Sequence, residues 1–134
     1  MRSAAILGLA FLATAASGAA LAADAADADA LQWVSMIDRG DYAGSWSNAG
    51  GLFQSHITSA AWAGQAGPTR EPLGGVKSRK VLSEEDAATL PGAPDGTYKI
   101  IRFTTVFAHK QDAVETVVLA KEAAGWKVDG YFIK

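Results

Sequence analysis

The chain contains no cysteine and only two histidines, His56 and His109, and its formal net charge is −2. Without cysteine there is no disulfide, no thiolate nucleophile and no acceptor for a lipid anchor. A zinc site needs three or four convergent N, S or O ligands, and two distant histidines do not supply them. Asp24, Asp27 and Asp29 resemble a calcium loop only loosely, with no closing glycine or glutamate. The Gly74-Gly75 pair lacks the spacing of a nucleotide loop, and there is no G-x-S-x-G nucleophile elbow. Neither a metal nor a cofactor is therefore expected. Nucleic-acid binders carry clustered basic residues. Here the densest basic run is Lys77–Lys80, which reads as a solvated strand face, so no nucleic-acid partner is expected.

Long apolar runs are also missing after the N-terminus. Arg2 precedes an apolar stretch, Ala4–Ser17, and Ala20-Leu21-Ala22 fits a small-x-small cleavage site. The pattern predicts a signal peptide over Met1–Ala22 and a single mature domain over residues 23–134. A membrane anchor is the alternative, but a spanning helix needs about 20 apolar residues. The expected location is periplasmic or secreted, with no membrane attachment after cleavage. With no disulfides, the domain has to rely on packing, and Trp33, Trp46, Trp62 and Trp126 are its largest contributors.

Along the mature chain, Ala23–Ala30 reads as a flexible leader or as the first turn of a helix. From Leu31 the period is helical, with Leu31, Val34 and Ile37 on one face and Gly40 closing the helix. Asp41 is a plausible N-cap for a short turn. Leu52–Gln65 predicts a third helix, with Phe53, Ile57, Ala60, Ala61 and Gly64 on one face, stopped by Gly67-Pro68. Val76–Leu82 is a short strand, and Ser83-Glu84-Glu85-Asp86 resembles a capping box opening a helical turn. Three strands follow, at Thr97–Ala108, Ala113–Lys121 and Trp126–Ile133. Helices followed by an antiparallel meander give an α+β layered fold of about four strands. In the first long strand Ile101, Phe103 and Phe107 face one way while Tyr98, Ile100 and Val106 face the other. The second face needs a curled sheet, a loop, a ligand or a homodimer partner to cover it.

Several side chains are candidates for chemistry. Glu115, in a strand beside Val117 and Leu119, would have a raised pKa if buried and could act as a base; the preferred reading is a pair with Arg102 or Lys127 across the sheet. Asp129 is a second strand carboxylate. His56, near the apolar stripe of the third helix, is a candidate general base or a boundary residue. Arg70 and Arg79 flank the Pro72–Gly75 turn and could hold a small anionic ligand against Trp62 or Tyr98, or could anchor that turn to nearby acids.

The chain also carries the run Trp33…Ile37-Asp38-x-Gly40-Asp41-Tyr42…Ser45-Trp46, then Phe53…Ile57…Trp62 and Arg70-x-Pro72-Leu73-Gly74…Arg79. It continues with Leu90-Pro91-Gly92-Ala93-Pro94-Asp95-Gly96-x-Tyr98, Phe103-Thr104-Thr105-x-Phe107, Val114-Glu115-Thr116-Val117 and Gly125-Trp126-Lys127-Val128-x-Gly130-Tyr131-Phe132-Ile133. In these pieces it resembles the DUF4019 family of exported bacterial proteins of unknown function. The closing strand also looks like the end of nuclear-transport-factor-2-like cone folds. The resemblance implies helices lying across a curved sheet with room for an enclosed pocket, and it implies no particular activity. The expectation is a non-enzymatic binding or interaction module with a small ligand or protein partner. The alternative is a small isomerase- or dehydratase-type enzyme using a strand carboxylate.

Overall fold

The computed structural model describes residues 18–134, with burial described from residue 25 onward. Residues 1–17 of the expected signal peptide lie outside the described residues, and the expected cleavage site falls within the first helix. Four helices come first: α1 (Gly18–Asp38), α2 (Tyr42–Ser47), α3 (Gly51–His56) and α4 (Ser59–Arg70), followed by a 3-10 turn at Glu71–Leu73. Four strands follow: β1 (Val76–Ala87), β2 (Tyr98–Phe107), β3 (Lys110–Glu122) and β4 (Gly125–Ile133). They pair antiparallel in chain order to make a curved, unclosed sheet, giving the expected α+β fold.

α1 reaches further toward the N-terminus than its period predicts, because Ala23–Ala30 is helical rather than a leader. Alanine is the best helix former, and Ala26 and Ala30 are small enough to lie fully buried on the sheet. The buried stripe is Ala26, Ala30, Trp33, Val34 and Ile37. Leu31, expected on that stripe, is instead exposed. Gly40 ends the helix with φ +75°, a conformation that favours glycine. Asp41 then caps α2 as expected, its carboxylate accepting the Gly44 N–H at 2.9 Å.

The third predicted helix is two helices. Ile57 is extended (φ −149°, ψ 141°), and Thr58 caps α4 by accepting the Ala61 N–H at 3.1 Å. The chain does not stop at Gly67-Pro68: Pro68 lies inside α4. Its missing N–H costs one bond of the helical ladder, but tertiary ties from Arg70 hold the last turn in place.

Another local expectation also gives way. Ser83–Asp86 is not a helical turn but the continuation of β1, with Glu84 opposite Ile101, Glu85 opposite Ile100 and Asp86 opposite Lys99. Five further residues of cross-strand pairing, Ser83 to Ala87, outweigh a capping box with no apolar helix behind it. Glu85 pairs with Arg102 on the outer face of the sheet, and Asp86 pairs with Lys99 on the helix-facing side.

The core lies between the helices and one face of the sheet. Ile101, Phe103 and Phe107 are buried there, as their alternation predicts, together with Val117, Leu119 and Val128. Trp33 sits at the centre, 6.3 Å from Phe53, 6.1 Å from Trp62 and 5.4 Å from Tyr131 between ring centroids. Phe53 meets Trp62 edge-on at 4.9 Å. Such pairs contribute about 0.5–1.5 kcal/mol each beyond their buried area. On the opposite face, the β1–β2 loop covers the Tyr98 end: Tyr98 is buried and its hydroxyl donates to the Pro94 carbonyl.

The two buried indoles converge on one residue. Trp33 Nε1 donates to the Ser45 carbonyl (2.8 Å), Trp62 Nε1 donates to Ser45 Oγ (2.9 Å), and Ser45 Oγ donates to the Tyr42 carbonyl (2.7 Å). Ser45 is fully buried. Ser45→Ala removes the acceptor for Trp62 and strands its N–H in the core. The expected loss is about 1–3 kcal/mol of unfolding free energy, read by urea denaturation; a change below a few tenths would show that this hub does not hold α2 to α4.

Candidate functional site

Three of the charged residues singled out in the sequence, Arg70, Arg79 and Glu115, meet in one cluster on the helix-facing side of the sheet. Arg79, on β1, stands opposite Thr105 of β2, and Glu115, on β3, stands opposite Phe103 of β2. Arg79 holds two carboxylates at once. Its Nε and Nη2 donate to the two oxygens of Glu115 at 2.7 and 3.2 Å. Its Nη1 and Nη2 donate to the two oxygens of Asp38 at 2.8 and 2.9 Å. Bidentate pairs of this kind are the strong form of charged hydrogen bond.

Glu115 is fully buried, and its remaining capacity is taken by the hydroxyls of Thr105 and Tyr131. Its partner is therefore Arg79, not Arg102 or Lys127. Arg102 lies opposite Thr116, on the other face of the sheet from Glu115, and pairs with Glu85 instead. Lys127 lies opposite Ala120, several residues along β3. Burial opposes the charge on Arg79, but the hydrogen bonds to Asp38 and Glu115 outweigh it and raise its pKa above the ordinary arginine value. Burial, and then the negative charge of Glu115, push the Tyr131 phenol up, so it stays a neutral donor.

Arg70, on the last turn of α4, closes the cluster from the helix side. It is buried, donates to Asp38 Oδ1 at 3.2 Å and to the Gly74 carbonyl at 2.6 Å, and lies 4.5 Å from the centroid of the Phe107 ring. Its Nε has no partner among the described residues. Gly74, at φ +74°, leaves room for this turn: a Cβ there would sit 2.8 Å from the His109 ring. Two arginines and two acids make the cluster neutral. With the hydroxyls of Thr105 and Tyr131 they tie α1, α4 and all four strands into one unit.

Asp38 was not a candidate from the sequence, yet it joins both arginines. The signal was available: an acid in the last turn of a helix opposes the macrodipole, which calls for a nearby cation. Tyr131, Thr105 and Ser45 offered no comparable signal, because each is an ordinary member of an alternating or helical pattern.

Asp129 and His56 lie elsewhere. Asp129 sits at the β-bulge where β4 loses register against Val118 and Leu119. Its Oδ1 accepts the Phe53 N–H at 3.2 Å, while Glu122 accepts the Gly51 N–H at 3.2 Å, so two carboxylates from the sheet cap α3. Burial raises the Asp129 pKa, with the Phe53 N–H opposing it. A Cβ at Gly50 would fall 2.1 Å from Asp129 Oδ1, so a larger residue there would push the capping carboxylate aside. His56 is exposed, and its Nδ1 lies 2.7 Å from the Leu52 carbonyl. A carbonyl only accepts, so Nδ1 is the donor in this contact.

Beside β4 lies a groove. A cavity of about 730 Å³ is bounded on the helix side by Leu52, Ile57 and Trp62, and on the other side by Leu90, Tyr98 and Phe132. His56 and Asp129 stand on its wall. A second cavity of about 250 Å³ continues along α4 to Arg70, and Trp62, Gln65, Tyr131 and Phe132 line both. Of the candidate ligand-binding residues, the groove thus gathers Trp62, Tyr98 and Arg70. Arg79 and Glu115 line neither cavity. Among the described residues no group of three His, Asp or Glu is placed to hold a metal, and no described helix is long and apolar enough to cross a membrane.

Removing the charge of Glu115 leaves two arginines facing one carboxylate in the interior. Glu115→Gln should cost about 3–5 kcal/mol of stability, measured by chemical denaturation. A variant as stable as the parent would separate Glu115 from the packing and return it to the list of reactive groups.

A comparison with curated proteins finds no match, and neither does a comparison with solved structures. The family model described as "Protein of unknown function (DUF4019)" matches residues 29–131, from the middle of α1 to near the end of β4. That span contains Asp38, Arg70, Arg79 and Glu115 as well as most of the groove wall, and the chain belongs to the DUF4019 family.

Proposed function

We propose that the protein is an exported binding module, and that the groove between α3, α4 and β4 is where it takes its ligand. The observation that carries this reading is the division of labour between the two sites. The acids and arginines best suited to chemistry are spent on one another, with Arg79 committed to two carboxylates and Glu115 to Arg79 and the hydroxyls of Thr105 and Tyr131. The groove beside them is walled mainly by aromatic and aliphatic side chains, which suits recognition of an apolar group. Its extent, about 730 and 250 Å³ in two joined parts, is that of a small-molecule or side-chain pocket. A cone of the nuclear-transport-factor-2-like kind is part of this proposal, supported by helices lying across one face of a curved sheet.

A second reading has its own observation. His56 and Asp129 both stand on the wall of the groove. A small acid–base enzyme of the isomerase or dehydratase type would use that pair rather than Glu115. Export is supported by the charged, apolar and small-residue order of residues 1–22. The buried core begins at Ala26, so a chain starting at Ala23 retains every buried residue described.

Two measurements test the proposal. The neutral probe N-phenyl-1-naphthylamine should bind saturably and quench tryptophan emission, because Trp62 lines the groove. Phe132 is 62% exposed, so Phe132→Asp should spare the fold and weaken the probe about tenfold or more, the worth of one buried aromatic contact. Failure to bind, or binding indifferent to Phe132, would remove the groove as the site. For export, the intact mass of protein recovered outside the cytoplasm should match a chain starting at Ala23; retention of Met1–Ala22 would contradict it.

A further inference from the structure

The groove runs along an open sheet edge. β4 is the last strand in the sheet order, with a neighbour only at β3. Val114 and Lys134 exchange both backbone hydrogen bonds, each at 2.9 Å. In an antiparallel ladder bonded and non-bonded pairs alternate. Phe132 opposite Thr116 and Gly130 opposite Val118 are therefore bonded pairs. Tyr131 opposite Val117 and Ile133 opposite Glu115 are the intervening ones. The N–H and C=O groups of Tyr131 and Ile133 consequently point away from β3, to the free edge. Among the described residues, the backbone bond arriving at that edge from outside the sheet is Gly50 N–H to Val128 C=O at 2.8 Å, which lies before Tyr131.

Open edges are ordinarily protected by charge, proline or a covering segment. Tyr131, Phe132 and Ile133 supply no charge and no proline. Space lies beside them on both sides of the strand: Trp62 and Ile57 bound it on the helix side, and Leu90 and Tyr98 on the other. A strand laid along the edge would send successive side chains alternately to these two apolar walls.

We propose that the Tyr131–Ile133 edge of β4 takes an extended, apolar segment of a partner polypeptide as a fifth strand. This rests on the groove being the binding site and names its occupant. Up to four backbone bonds at Tyr131 and Ile133 hold the segment, and consecutive apolar side chains fill the two walls. A second copy of this chain fits less well. Pairing β4 with β4 antiparallel about a two-fold perpendicular to the sheet would put both copies of α4 on the same face. α4 already lines the space beside the edge through Trp62, Gln65 and Thr69.

The test uses capped peptides with Val-Leu-Val, Val-Phe-Val or Ile-Ala-Ile centres between Thr and Lys flanks. Each is paired with a twin carrying the same side chains but N-methylated at alternate residues. At least one peptide should bind and displace N-phenyl-1-naphthylamine, and its twin should bind about tenfold more weakly or worse, since each lost tenfold corresponds to about 1.4 kcal/mol. Ile133→Pro removes an N–H that points away from β3. It should weaken the peptide about tenfold, and by more than it weakens the naphthyl probe, which takes no backbone hydrogen bond. Equal binding of peptide and twin would overturn strand addition. So would binding of the naphthyl probe with no peptide bound, although the groove would stand. Binding of neither would remove both readings. A dimer by light scattering that Ile133→Pro dissociates would give the edge to a second copy and overturn the peptide partner.

Discussion

The fold turns on Arg79. One guanidinium bridges Glu115 in the sheet to Asp38 at the end of α1, with two hydrogen bonds to each. A buried ion pair is not by itself a source of stability, because desolvation offsets much of the attraction. What it does fix is geometry. The planar donors of Arg79 are satisfied only when α1 lies at one angle and one distance above β1 and β3. Arg70 adds α4 to the same arrangement through Asp38 and the Gly74 carbonyl. In a chain with no disulfide, this network and the Trp33–Phe53–Trp62–Tyr131 aromatic cluster position the helices over the sheet.

The groove follows from that placement. With the last turn of α4 held at Arg70 and α3 capped by Asp129 and Glu122, the two helices flank β4 without covering its edge. Tyr131 belongs to both systems: its hydroxyl donates to Glu115, and its ring lies against Trp33 and forms part of the groove wall. The pushed-up phenol keeps that contact intact across the physiological pH range. Charge neutrality in the interior and an apolar exterior slot thus share one residue.

The strands were legible because their period is two and their apolar residues are branched or aromatic. Ile101, Phe103 and Phe107 fell on the buried face as their alternation requires. The partner of Glu115 was not legible. β1 carries register shifts between Val76 and Ser78 and between Val81 and Ser83, and each shift reverses which side chains face the core. Arg79 lies between them, so its inward direction depends on bulges that no local pattern announces. The break at Ile57-Thr58 was hidden for a related reason: Phe53, Ile57 and Ala61 keep helical spacing although Ile57 itself is extended. Ser83–Asp86 shows the converse, a good local helix signal overridden by pairing with β2. The groove residues Trp62 and Tyr98 could be named from the sequence as apolar walls, but Phe132 and the free edge of β4 exist only once the strand order is known.

The claim at the centre of this account is that Arg79 and Glu115 act as one unit holding the helices to the sheet. A double-mutant cycle of Arg79→Met and Glu115→Leu, followed by chemical denaturation, tests it most directly. Each single change leaves a buried charge without its partner and should be strongly destabilising, while the double change removes both charges. The account predicts that the double variant recovers much of the lost stability, with a coupling of about 3 kcal/mol at the upper end for contacting residues. Losses that simply add would show that the two side chains stabilise the protein independently, and would contradict the account.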